Sequence, residues 1–161
     1  MRPPNERQCA GFHEAGHAIL AFVFGRRIGA VETNRDGSGG VRCATLRANA
    51  RDRFSRAEWR RLVTQEIFIC YAGPVAEMCA SGTMRPELWA VDIETAREWF
   101  RELRADPRRA RPIALQITRD LLSAPRTWRA VEMIAAHLVK RGRLSGEQLE
   151  AVCRACGVQR V

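Results

Sequence analysis

His13-Glu14-Ala15-Gly16-His17 decides how this chain is read. The pattern is H-E-x-x-H. On a helix, positions i and i+4 share one face, so both imidazoles reach one metal ion. Two neutral imidazoles and one further ligand, with a position left for water, make a catalytic zinc site. Glu14 follows the first histidine directly, where a carboxylate takes the proton of the water that such a metal activates. The same pattern arises by chance on polar helix faces, and two core histidines satisfied by hydrogen bonds would look alike. The setting favours the metal. Of three histidines in the chain, two stand in this motif. It runs straight into Ala18-Ile19-Leu20-Ala21-Phe22-Val23-Phe24. A helix that apolar is buried, and buried imidazoles need partners.

On the N-terminal side, Asn5 and Gln8 form a capping box for this helix, and Gly25 ends it. Gly16 weakens the helix, so its place there predicts another backbone in close approach. Downstream, residues 28–34 alternate enough for a strand, Asp36-Gly37-Ser38-Gly39-Gly40 is a turn cluster, and residues 41–46 read as the returning strand. The result is a β-hairpin. An edge strand beside a peptidase site pairs with an extended substrate through main-chain hydrogen bonds. Gly40, Val41, Arg42 and Cys43 are the candidates for that edge. A hairpin that only covers the core fits the sequence equally well.

Ser55 and Glu58 make a second capping box, with Phe54 placed as a hydrophobic staple. The long helix behind it takes its apolar side from Leu62, Ile67, Phe68, Tyr71, Val75 and Met78. Ala72, Gly73 and Ala76 leave one stretch small, suited to packing on Ala15, Gly16 and Ala18. Glu77 is either the acceptor for the far N–H of a ligand histidine or a residue at the helix margin. A loop with Pro86 follows, then a helix starting near Asp92. Pro107 and Pro112 punctuate the next segment. Residues 113–122 and 128–139 are amphipathic helices, and Ser145-Gly146-Glu147-Gln148 caps a last helix that ends at Gly157. The expectation is one mainly α domain over residues 1–161, with about six or seven helices and one small hairpin.

Bulk composition narrows the class. With 161 residues, 46% hydrophobic and 28% charged, the chain buries a real core and is ordinary for a soluble protein. Its longest apolar run is too short to span a bilayer. Met1-Arg2-Pro3-Pro4-Asn5-Glu6 lacks the apolar stretch of a secretory leader, so a cytoplasmic protein is expected. Six cysteines then read as free thiols, Cys153 and Cys156 included, since no second C-x-x-C completes a zinc site. The net charge of +9 raises nucleic-acid binding. However, Lys140 is the only lysine, the arginines are interleaved with acids, and only residues 101–111 are locally dense. No nucleic-acid motif accompanies them, and no nucleic-acid partner is expected.

Taken in order, these pieces resemble the zinc peptidase domain of FtsH-type AAA+ proteases. Phe12-His13-Glu14-Ala15-Gly16-His17-Ala18 resembles that family's metal motif, and Gly39-Gly40-Val41 the start of its active-site strand. Tyr71-Ala72-Gly73-Pro74-Val75-Ala76-Glu77 resembles its small-residue helix ending in glutamate. Val91-Asp92-Ile93-Glu94-Thr95-Ala96 resembles the segment whose aspartate is the third zinc ligand. Residues 138–149 resemble its closing helix-turn-helix. The family's Gly-Ala-Ser-Asn run before the aspartate is replaced by Leu88-Trp89-Ala90-Val91, so hydrogen bonding in that loop must differ. No G-x-x-x-x-G-K-[ST] occurs, and the resemblance implies a stand-alone relative with the proteolytic chemistry but without powered unfolding.

The expected activity is therefore zinc-dependent endopeptidase, with His13, His17 and Asp92 on Zn2+, Glu14 as base and Glu77 behind a histidine. For the third ligand His137, Glu77, Glu94 and Glu98 compete. Asp92 is preferred because a short carboxylate at a helix start has little freedom and because it matches the family's ligand. Substrates would be flexible peptides, unfolded proteins, or proteins delivered by a separate ATPase. The alternative is a catalytically idle zinc-binding adaptor or regulatory domain.

Overall fold

Asn5 and Gln8 each accept the other's backbone N–H, at 3.0 and 2.9 Å, and so start helix α1 (Glu6–Val23). The computed structural model describes residues 4–34, 36 and 38–161. Gly37 of the expected turn cluster, and Met1 to Pro3 of the N-terminal stretch, lie outside the described residues. After α1 come strands β1 (Ile28–Thr33) and β2 (Gly39–Cys43), a 3-10 turn (Ala48–Arg53) and the long helix α2 (Arg56–Ser81). Helices α3 (Ala90–Glu102), α4 (Pro107–Ser123) and α5 (Pro125–Arg141), strand β3 (Arg143–Ser145) and helix α6 (Gly146–Cys156) complete the order. The described chain is thus mainly helical, with a small antiparallel sheet.

That sheet corrects one expectation. Instead of a lone hairpin it has three strands in the order β2-β1-β3. β1 pairs with β2 through Val31 opposite Val41 and Thr33 opposite Gly39, and with β3 through Val31 opposite Leu144. β3 is three residues long, too short for its own side-chain period to betray it. Its partner lies far away in sequence. β2 runs from Gly39 rather than residue 41 and ends at Cys43, leaving residues 44–46 outside the strand. It remains an edge strand, as the substrate-pairing reading requires.

Helix ends follow local chemistry. Ser55 and Glu58 box the start of α2, and Phe54 stacks on Trp59 with ring centroids 6.2 Å apart. α4 begins earlier than expected, with Asp106 accepting from the Arg108 N–H at 3.0 Å and Pro107 in the first turn, where a missing N–H costs nothing. Pro112 sits inside α4 instead of ahead of it. α3 likewise starts two residues before Asp92, which falls in its first turn.

α1 packs mainly on α2 and α5. Ala15, Ala18, Ile19, Val63, Ile67, Ala72, Ile134 and Leu138 form the buried centre. In the first half of α2 the buried stripe is Trp59, Val63 and Ile67, with Leu62 only partly covered. The closest contact is at Gly16. A Cβ there would lie 2.3 Å from the Ala72 carbonyl oxygen and 2.7 Å from the Ala76 methyl. Neither α1 nor α2 can yield, because Ala15, Ala18, Ala72 and Ala76 are all fully buried. α3 is tied to α2 at both ends: Trp59 Nε1 donates to Glu102 at 2.8 Å, and Trp89 Nε1 donates to Glu77 at 2.8 Å.

Gly16→Ala must push the two helices apart and costs on the order of 2 kcal/mol of folding stability. Urea unfolding measures it. A wild-type midpoint would mean that the helices are not in this contact.

Candidate metal centre

One face of α1 carries both histidines of the motif, because one helical turn separates them. Their Nε2 atoms lie 3.1 Å apart. From the first turn of α3, Asp92 brings one carboxylate oxygen to 3.1 Å from His13 Nε2 and the other to 3.4 Å from His17 Nε2. All three side chains are half-buried, and their ligand atoms lie within 4.8 Å of one another. His13, His17 and Asp92 can therefore hold a metal ion.

Room for the rings comes from α2. A Cβ on Gly73 would fall 2.3 Å from His17 Nε2 and 2.8 Å from His13 Cδ2, so only glycine is tolerated there. The far nitrogens are held from the same helix. His13 Nδ1 is 3.1 Å from Glu77 Oε2, and His17 Nδ1 is 2.7 Å from the Ile69 carbonyl oxygen. A carbonyl only accepts, so His17 Nδ1 carries the proton and its Nε2 presents a lone pair to the cluster when the ring is neutral. Pro74, inside α2, has no N–H, so the Cys70 carbonyl four residues before it lacks its helical donor.

This arrangement fits a cation. Two imidazole lone pairs and a carboxylate converge on one point, and without positive charge between them they repel. In the metal-free protein a proton supplies it. Burial opposes charge on His13, but hydrogen bonds to Asp92 and Glu77 outweigh burial and raise its pKa to about 9. Asp92 is also partly buried, yet the two histidines hold its carboxyl well below the usual range. Metal ligation uses the same lone pairs, with deprotonated His13 in place of the imidazolium.

Glu77 is almost fully buried, at 2% exposure, and is saturated with donors. Besides His13 it accepts from Trp89 Nε1 at 2.8 Å and from Arg85 Nε at 2.6 Å. Burial alone would raise its pKa, but His13, Trp89 and Arg85 together lower it, so it stays a carboxylate. Sequence reasoning did not assign Trp89 or Arg85. The signal for Trp89 was its place in the run that departs from the family pattern. Arg85 reaches Glu77 across a loop and has no periodic signature. Gly73 was read only as a packing residue.

Glu14 is buried at 8% exposure beside the cluster, without being one of its three donors. Burial raises its pKa, and the two imidazoles offset this only in part. Strand β2 begins directly over it. A Cβ on Gly39 would lie 2.8 Å from Glu14 Cγ and 2.9 Å from its Oε1. Of the expected edge residues Gly40, Val41, Arg42 and Cys43, Arg42 is engaged by Glu32 at 2.9 Å. The other third-ligand candidates are elsewhere. Glu94 pairs with Arg97 and Arg101 at 3.0 Å each, Glu98 is exposed, and His137 bonds the Arg143 carbonyl at 3.1 Å. All six cysteines are free. Burial raises the Cys153 thiol to about 12, which keeps it protonated and unreactive. Among the described residues no helix is long and apolar enough to cross a membrane. No protein-family model matches the chain, and no curated protein matches it.

Asp92→Ala removes one of three donors without touching the core, so affinity for a divalent transition metal falls at least about 10-fold, the scale seen even for weaker supporting contacts. A chelator competition gives the value, and unchanged helical circular dichroism excludes unfolding. Equal affinity would remove Asp92 from the site. The His13 shift sets a pH dependence. Its folded pKa of about 9 exceeds the unfolded value of about 6.5. The imidazolium's stabilisation is thus complete below about pH 6.5 and is lost as pH rises toward 9. Metal-free protein should melt at lower temperature at pH 8.5 than at about pH 6.5, and His13→Gln should remove that component. A profile unaffected by the substitution would contradict the charge assignment.

Proposed function

We propose that this protein is a zinc-dependent endopeptidase related to the FtsH-type peptidase domain. The observation that carries the reading is the convergence of His13, His17 and Asp92 beside a buried carboxylate, Glu14, that is not itself one of the donors. Ligand atoms around a tetrahedral zinc with bonds of about 2.0–2.1 Å lie about 3.3 Å apart. Separations of 3.1, 3.1 and 3.4 Å support that ion. When bound, zinc supplies Lewis-acid chemistry, lowering the pKa of water and polarising a carbonyl.

The chain's own residues do the rest. His13, His17 and Asp92 hold the ion, while Glu77 and the Ile69 carbonyl fix the rotation of the two rings. Glu14 takes a proton from the attacking water as its oxygen bonds to the scissile carbonyl carbon. It then gives that proton to the amide nitrogen as the C–N bond breaks. Its raised pKa suits both halves of this exchange, since a stronger base accepts more readily and still returns the proton. Edge strand β2 lies over Glu14 and offers its free backbone groups to an extended peptide, which supports flexible peptides or unfolded segments as substrates. A separate ATPase is the proposed source of folded substrates.

Glu14→Gln keeps the metal, because Glu14 is not a ligand, and lowers kcat for a cleavable peptide by about 100-fold or more. Metal analysis and a peptide assay on the same sample check both halves. Cleavage at the wild-type rate would reject Glu14 as base. Zinc-loaded wild type that cleaves no unfolded protein would favour the idle-domain reading.

A further inference from the structure

Behind the metal centre, α2, α3 and α4 frame a half-open pocket of about 150 Å³. None of the three metal donors lines it. Gly73 of α2 faces the histidines, whereas Tyr71, Pro74, Val75 and Met78, which line this cavity, lie about 100–200° around the helix axis from it. Trp89 and Ile93 of α3 and Leu115 of α4 complete the apolar wall. A cavity of this size holds one benzene-sized group.

Beside the neutral amide of Gln116, its charged lining residues are of one sign. Arg111 and Arg119 stand on α4 at the rim, and neither has a carboxylate partner among the described residues. An apolar wall with two guanidiniums at its rim that have no carboxylate partner among the described residues suits a compact apolar group bearing a carboxylate. We propose that this cavity binds a small aryl or branched-alkyl monocarboxylate. Trp89 makes the site felt at the metal: its ring forms part of the wall, and its indole N–H holds Glu77, which holds His13. Occupancy that moves Trp89 therefore changes metal affinity, and metal changes ligand affinity by the same factor. Binding itself does not depend on the peptidase reading.

The test titrates zinc-loaded protein with 3-phenylpropionate and follows the Trp89 indole N–H resonance by NMR, assigned with Trp89→Phe. Saturation in the low-millimolar range is expected, the affinity open to a ligand of about eleven non-hydrogen atoms. Arg111→Gln with Arg119→Gln, both at the rim, should weaken it about 10-fold or more. Leu115→Trp, which fills the cavity, should abolish it. Equal binding of 3-phenylpropanamide, or an unchanged constant in the double arginine variant, would overturn the site, as would no saturation. A short peptide ending in phenylalanine that binds 10-fold tighter than 3-phenylpropionate would replace the small acid by a peptide terminus and overturn the ligand assignment. In a chelator competition, saturating 3-phenylpropionate should shift zinc affinity several-fold. An unchanged zinc affinity would overturn the link through Trp89.

Discussion

Close approach of α1 and α2 is the constraint on which the site depends. Gly16 lets the Ala72 carbonyl sit where a methyl would be, and the next residue of α2, Gly73, lets both imidazoles lie against the α2 backbone. These two glycines work in opposite directions across one contact. Each removes a side chain so that the partner helix, or the partner's rings, can occupy the space. Glycine lowers helix stability by about 1 kcal/mol per position, and long buried helices with capping boxes on both tolerate that loss. Without this approach, Ile69 and Glu77 could not reach the far nitrogens of His17 and His13.

Charge organises the second layer. Three carboxylates, Glu14, Glu77 and Asp92, are packed around two imidazoles in a region largely shielded from water, where an unpaired charge is costly. Their environments push them apart. Glu77, with Arg85 and Trp89 as donors, and Asp92, against two imidazoles, are held ionised. Glu14 has fewer donors and is shifted the other way. Carboxylates with separated acidities in one site are the arrangement that assigns different tasks to chemically similar groups. In the proposed peptidase, Asp92 binds, Glu77 orients and Glu14 exchanges the proton.

Much of the fold was legible because it was local. The capping boxes at Asn5, Ser55 and Ser145 start α1, α2 and α6 where the sequence places them, since each needs only residues three apart. The i, i+4 spacing put both histidines on one face for the same reason. Pro112 misled because a proline within an amphipathic helix can be absorbed when its face is exposed, as it is in α4. β3 was invisible because a three-residue strand exists only through its pairing with β1.

The sequence by itself determined the helical class, the spacing that sets His13 and His17 on one helix face, and the small-residue stretch that α1 packs against. Periodicity, capping and covalent spacing are properties of neighbours in the chain, and a reader of the chain has them all. For the third ligand the sequence offered only a preference for Asp92 at the helix start, and it is the tertiary docking of α3 that brings Asp92, and not Glu94 or Glu98, to His13 and His17. The tie of Trp59 to Glu102 at one end and of Trp89 to Glu77 at the other fixes that docking, turning Asp92 inward and Glu94 toward its arginines. Such long-range hydrogen bonds join residues with no pattern between them, so their outcome exists only once the chain has folded.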